Sequence, residues 1–314
     1  MRDFRWGLEP QQPLSADEHI GMEKETLDWG EAEWGTHRFH IRQLLDESIG
    51  LLGRREKAAV LGAGNHGDVD LPGLSAHFQG LTVLDTEDNV LEEILESTGS
   101  PAAGRIKSLT RVDYTGLDQI SFYERYEELL TGEASADQLI AFLRDSAFQA
   151  RRVEVLPHLR KSFSLVVSSG VHTQLFYGEA LAQFHGHMDR YAEGERKSII
   201  EAIRSLRNSL VTAYNQTLLS LLKPEGRIVM WSEMIHIDES KADIMEELNG
   251  KTLETDRTAY LFSVFGKYGI DAAVLGLKDL HDKVKTDQLL FRSWSWHTES
   301  GKRYLVAGMS GVLR

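Results

Sequence analysis

The chain has 314 residues, 41% of them hydrophobic and 26% charged, with a formal net charge of -13 at pH 7. That length supports one sizeable core. The acidic surface repels phosphate backbones, and no Lys/Arg run interleaved with aromatics offsets it, which argues against nucleic acid as a partner. Cysteine is absent, which excludes disulfides, thiolate metal sites and a cysteine nucleophile.

The chain begins MRDFRWGLEPQQP, without a basic-then-apolar leader, and no stretch is apolar for long enough to span a bilayer; both point to a cytoplasmic protein with no membrane contact. Ser15-Ala16-Asp17-Glu18 reads as a helix cap. Asp28 to Phe39 brings Trp29, Trp34 and Arg38 together. Trp34 and Arg38 are one helical turn apart, which suits either a lid whose Arg38 meets a carboxylate or aromatic anchoring of a helix on the core. From His37 to Leu52 the apolar positions Phe39, Ile41, Leu44, Leu45, Ile49 and Leu52 recur at helical spacing. Residues 1–55 are therefore expected to form a helical N-terminal cap segment on a domain spanning 56–314.

Lys57 to Leu71, KAAVLGAGNHGDVDL, is a short apolar run stopped by Gly62, Gly64 and Gly67, and the next apolar run, Leu81 to Leu84, ends on Asp85. Glycines let the backbone turn sharply after a buried strand and approach a ligand closely, and the helix that follows aims its free amides at it. An acid at the tip of the second strand is placed to accept from the hydroxyls of an adenosyl ribose. The pattern predicts a nucleotide site built from Gly62, Ala63, Gly64, Asn65, Asp85 and Thr86; the bland alternative is an ordinary strand-to-helix turn. Taken alone, the glycine spacing fits the G-x-G-x-x-G of an NAD-dependent oxidoreductase.

Further along, Asp88 to Ser97 reads as a helix and Ile106 to Asp113 as a third strand. Gln119 to Val155 is helical in pattern with a break at Ala134 to Asp137. Phe163 to Ser169, FSLVVSS, is the nearly continuous apolar run that a strand buried on both faces requires. Thr173 to Leu222 is a long, mostly helical stretch. Then LLKPEGRIVMWSEMI, Leu221 to Ile235, gives a helix end, a turn at Pro224 and Gly226, and a strand. Leu289 to His297 and Lys302 to Met309 flank Thr298-Glu299-Ser300-Gly301 as a β-hairpin.

These segments together resemble the landmarks of the class I S-adenosylmethionine-dependent methyltransferases. The resemblance runs from about Glu56 to the C-terminus; the Leu222 to Gly226 turn is similar to that family's "LKPGG", and a C-terminal antiparallel hairpin sets the family apart from dinucleotide dehydrogenases. It implies an α/β fold with a doubly wound, mainly parallel sheet and helical insertions near 119–155 and 173–222. It also implies S-adenosylmethionine as cofactor, with Asp113 and Tyr114 at the adenine and Ser169 bordering the transferred methyl group. One departure stands out. The family commonly has an acid two residues before the first loop glycine and glycines at alternate positions, whereas those slots hold Gly62, Gly64, His66 and Asp68. Asp68, Asp70 or a segment from elsewhere must then meet the cofactor's amino group.

Methyl transfer requires alignment of the nucleophile and, for a protonated acceptor, removal of a proton. His172, three residues past Ser169, is the candidate base, against the alternative of a loop histidine with no chemistry. His236 is a second candidate, and Trp231 and Glu233 alternate on a strand so as to share a face. His185-Gly186-His187 with Asp189, and His37 with His40, lack the spacing or number of a metal set, so no metal is expected. The fourth strand lacks the Asn/Asp-Pro-Pro-aromatic ending of nucleic-acid amino-methylating enzymes and the acids of magnesium-dependent catechol methyltransferases. The expected activity is methyl transfer to an oxygen, nitrogen or carbon of a small molecule. The alternatives are an NAD-dependent oxidoreductase and a non-catalytic S-adenosylmethionine-binding protein.

Overall fold

The computed structural model describes residues 30–63, 67–88, 104–298 and 300–314. The cap at Ser15 to Glu18, Trp29, the Trp34 side chain, Gly64, Asn65, His66, most of the Asp88 to Ser97 helix and Glu299 lie outside the described residues.

Seven strands form one sheet: β1 (Lys57–Leu61), β2 (Gly80–Leu84), β3 (Ile106–Leu109), β4 (Phe163–Ser169), β5 (Leu222–Ile237), β6 (Leu290–His297) and β7 (Arg303–Val312). Their order is β3-β2-β1-β4-β5-β7-β6. The first five run parallel, and β7 pairs antiparallel with both β5 and β6. This is the doubly wound, mainly parallel sheet with an antiparallel C-terminal hairpin that the sequence predicts. Every residue of β4 is buried, because helices cover both faces of the sheet there.

The helices are α1 (Gly30–Gly50), α2 (Leu71–Ala76), α3 (Phe122–Thr131), α4 (Ala136–Ala150), α5 (Val171–Gln174), α6 (Tyr177–His185), α7 (Glu193–Leu221), α8 (Asp243–Gly250), α9 (Glu254–Tyr268) and α10 (Asp271–His281). On one face α1 and α2 bury Ile41, Leu44, Leu45 and Leu74 against Val60, Val167, Val229 and Trp231. On the other, α7 and α10 bury Tyr214, Leu218, Leu221, Ala273 and Leu277 against Ala59, Val166, Ile228 and Met230. The break expected after Ala134 is a capping box: the Ser135 hydroxyl accepts from the Gln138 amide, and the Gln138 side chain accepts from the Ser135 amide. A third cluster, built from α3, α4, α6 and α7 around Phe122, Tyr126, Leu139 and Phe184, forms the helical insertion.

Three features differ from the sequence expectation. β3 ends at Leu109, before Asp113, because Arg111 takes a left-handed φ of 53 that no strand continues through. The turn before the fifth strand is a bulge inside β5: Phe163 pairs with Leu222 and Leu165 with Arg227, so residues 223–226 loop out. Helices α8, α9 and α10 lie between β5 and β6, in a stretch to which the sequence reading gave no element.

Candidate functional site

The parallel strands end side by side. Leu61 is in register with Leu84 and with Ser168, and Ser169 with Trp231, so Gly62, Asp85, Ser169 and Trp231 lie along one carboxyl edge of the sheet. Open α/β sheets bind ligands at that edge. Gly62 has φ 74, a conformation that glycine adopts without strain, and turns the chain off β1. The Asp85 backbone is clamped into the edge, its amide donating to the Leu109 carbonyl and its carbonyl accepting from the Val112 amide, each at 3.0 Å. Its carboxylate is 7% exposed and accepts from the Glu87 amide at 3.2 Å.

The other predicted residues divide. Thr86 is exposed beside Asp85, and its hydroxyl lies 3.4 Å from that carboxylate. Ala63 is buried in the apolar cluster under α1 and α2, so its methyl group serves packing. Tyr114 is buried behind the turn; its hydroxyl accepts from the Gly62 amide at 3.2 Å and donates to the Leu84 carbonyl at 2.8 Å. Burial, with Tyr214 and Asp85 nearby, pushes the Tyr114 phenol well above its ordinary range and keeps it a neutral donor. Tyr114 therefore braces the glycine turn from below.

Asp113 is turned to a local task. Its Oδ1 accepts from the Thr115 amide, the Thr115 hydroxyl and the Gly116 amide at 2.8, 2.6 and 2.9 Å, and its Oδ2 accepts from the Asp118 amide at 3.0 Å. An aspartate so engaged organises its own turn. Ser169 is buried at the tip of β4. The next residue, Gly170, has φ 62, and its amide donates to the Trp231 carbonyl, tying that tip to β5.

His172 requires a correction. Its ring is fully buried at 0% exposure and points to the α7 and α10 side of the sheet, with Nε2 2.8 Å from the Asn215 Oδ1. Asn215 in turn donates to the Gly276 carbonyl and to Asp279. Burial lowers the imidazole pKa to about 4, against smaller opposing effects of Asn215 and Asp279. A ring sealed between two helices and neutral near pH 7 has no access to an acceptor; it is a packing residue of the α5, α7 and α10 junction. His236 lies against Tyr304, ring centroids 5.3 Å apart, farther along β5.

A cluster that the sequence did not assemble sits under α1 at the same edge. The Trp294 indole N–H donates to His37 Nδ1 at 2.8 Å, and His37 stacks on Trp296 with centroids 4.3 Å apart. With Nδ1 accepting, a neutral His37 carries its proton on Nε2, which lies 3.4 Å from Asp68 Oδ2. Across from them Glu233 accepts from the Thr173 hydroxyl at 3.1 Å. Burial raises the Glu233 pKa, and Asp68 adds to the rise. Of the two acids after the glycine turn, Asp70 caps α2 by accepting from the Gly73 amide. Asp68 is buried, 8% exposed, with Oδ1 making no hydrogen bond among the described residues. Arg38 also lies over the turn: a Cβ built on Gly67 would stand 3.6 Å from its Nη2. The available sequence signals were the shared face of Trp231 and Glu233 and the pairing of His37 with His40. Neither indicated that α1 packs on β6. No group of three metal-ligating side chains occurs among the described residues.

No family model matches the chain. No curated protein matches it. Among solved structures, it is similar to a Bordetella parapertussis protein described as a possible exported protein, at 11% identity, covering 90% of this chain and 67% of that one, with a TM-score of 0.40. It is also similar to a provisionally assigned S-adenosylmethionine-dependent methyltransferase from Listeria monocytogenes, at 9% identity, 89% and 100% coverage and a TM-score of 0.39. An S-adenosylmethionine-dependent methyltransferase from Aquifex aeolicus matches at 8% identity, 88% and 98% coverage and a TM-score of 0.37. Likenesses this low are of outline and carry nothing about site residues. The strand order, the reversed β7 and the glycine turn after β1 are this chain's own, and they make the doubly wound, mainly parallel sheet with an antiparallel C-terminal hairpin that the sequence resemblance implies.

Proposed function

We propose that this protein transfers a methyl group from S-adenosylmethionine to a small molecule. The observation that carries the reading is the pairing of Gly62 and Asp85 at the carboxyl edge: a positive-φ turn off β1 beside a largely buried carboxylate at the end of β2. That pair fits an adenosyl group, since the turn lets the backbone approach it and the carboxylate is placed to accept from ribose hydroxyls. When bound, the cofactor supplies a methyl group made electrophilic by a sulfonium. Asp85 would orient the ribose, Tyr114 would hold the glycine turn rigid, and the tips of β4 and β5 would face the methyl end. Glu233, held by Thr173, is a titratable group on that side, and its raised pKa suits it to accept a proton from an acceptor.

The acidic net charge favours a small-molecule acceptor over nucleic acid. Among the described residues no helix is long and apolar enough to cross a membrane, and we place the activity in the cytoplasm. The test is titration calorimetry with S-adenosylhomocysteine and NAD, followed by turnover with S-adenosylmethionine and a metabolite panel. Saturable S-adenosylhomocysteine binding with methylated product supports the reading. Tight NAD binding at the same edge overturns it, and binding without any turnover leaves a non-catalytic ligand-binding protein.

A further inference from the structure

Two carboxylates, Asp68 and Glu233, lie close enough under α1 to interact electrostatically, and His37, which faces Asp68, is itself held by Trp294 and Trp296. The Asp68 residue is 8% exposed; one carboxylate oxygen faces His37 Nε2 at 3.4 Å, and the other, buried, has no hydrogen-bond partner among the described residues. A buried carboxylate oxygen without a donor is costly, and such groups in folded proteins are normally satisfied by protein, water or ligand. The Glu233 carboxylate accepts from the Thr173 hydroxyl and from its own backbone amide, which leaves acceptor capacity on a group that carries up to four lone-pair sites. The rings on the Asp68 side are His37, stacked on Trp296, and Trp294, which also stacks on His40 at 5.5 Å. Carboxylates backed by aromatic faces attract cations by charge and by ring quadrupole together.

Topology says which end of a bound cofactor this cluster serves. Asp85 ends β2 and Glu233 lies on β5, with β1 and β4 between them. Three strand spacings are about 14 Å. The nucleoside half belongs over β1 and β2, so the Glu233 carboxylate stands on the far side of β4, where an acceptor approaches.

Resting on the proposed methyl transfer, we propose that the acceptor is a cationic amine whose ammonium group is held between Asp68 and Glu233, against the Trp294 and Trp296 wall. Ammonium donors would satisfy the unpartnered Asp68 oxygen and offset the burial of Glu233. The groups facing this subsite are His37 and Arg38 from α1, Asp68 from the turn after β1, Thr173 from α5, Glu233 from β5 and Tyr304 from β7, whose phenol Glu233 helps to raise.

The experiment is titration calorimetry on the full chain with phenethylamine and its neutral partner phenethyl alcohol, each with and without S-adenosylhomocysteine. The expected result is saturable amine binding at pH 7, about tenfold or more tighter than the alcohol, that weakens as Glu233 takes up a proton on acidification. Asp68→Asn and Glu233→Gln should each weaken the amine about tenfold or more, whereas Asp85→Ala should leave it unchanged. Absence of amine binding, or equal binding of the alcohol, overturns the proposal, and this comparison on the unaltered chain decides even if a variant unfolds. A second overturning result is Asp68→Asn weakening S-adenosylhomocysteine about tenfold while sparing methylthioadenosine, which lacks the amino-acid end. That outcome assigns Asp68 to the cofactor's own ammonium. If S-adenosylhomocysteine fails to bind while the amine still does, the methyl-transfer reading fails separately.

Discussion

Removing the Asp85 carboxylate takes a charged acceptor out of a largely buried position, so Asp85→Ala should weaken S-adenosylhomocysteine by about 1–3 kcal/mol. Calorimetry on the folded variant checks this, and unchanged affinity removes Asp85 from the site. His172 gives a pH prediction instead of a catalytic one. In the unfolded chain its imidazole has the ordinary value of 6.5, while burial holds the folded value at about 4. Above 6.5 both states are neutral and its stabilising contribution is complete. As the pH falls from 6.5 toward 4, the unfolded chain takes up a proton that the folded chain refuses, and stability drops by up to about 1.4 kcal/mol per pH unit. Urea denaturation across that window should show a steeper loss for the native chain than for His172→Gln. Equal slopes would mean that the ring is not sealed as described. The sequence placed His172 correctly just beyond β4, but distance along the chain from a strand tip does not specify which face a side chain takes.

The meeting of α5 with α10 and the bulge in β5 each depend on one backbone position. A Cβ added at Gly276 would lie 2.3 Å from the His172 Cδ2, far inside contact distance. Glycine to alanine in a helix interior normally stabilises by up to about 1 kcal/mol, whereas forcing bulk into a packed core costs about 1–3 kcal/mol. The second effect wins here, so Gly276→Ala should destabilise the fold, read as a lower urea midpoint with an unchanged slope. Glu225 presents the opposite case. It sits in the bulge at φ 61, a left-handed conformation costing a residue with a Cβ about 1–2 kcal/mol, and its ion pair with Lys285 at 3.4 Å is exposed. Glu225→Gly relieves that strain but makes the unfolded chain more flexible, for a net gain of about 0.5–1 kcal/mol. A thermal midpoint that fell would contradict the assigned backbone. The sequence marked this segment as a turn because Pro224 and Gly226 flank it. That it interrupts a strand became visible only in the pairing of Phe163 with Leu222 and Leu165 with Arg227.

For the molecule as a whole, the reversed β7 and the edge at which β1, β2 and β4 end beside β5 predict affinity for S-adenosylhomocysteine and none appreciable for NAD or NADP, measured by calorimetry on the same preparation. The strands were legible in the chain because burial on both faces demands unbroken apolar runs such as Phe163 to Ser169, and because a hairpin announces itself by two β-rich runs around a short polar turn. The juxtaposition of Gly62 with Asp85 was legible for a related reason, since a parallel strand-helix-strand unit brings successive strand tips together wherever its ends are recognised. Side-chain destinations were not. Asp113 accepts from the amides of its own turn, His172 is captured by helices from much later in the chain, and Asp68 meets His37 only because α1 docks against β6 and β7. Strand and turn patterns are local consequences of burial and backbone sterics. The direction of a polar side chain at a strand end depends on which distant element packs there, and that is a property of the assembled core.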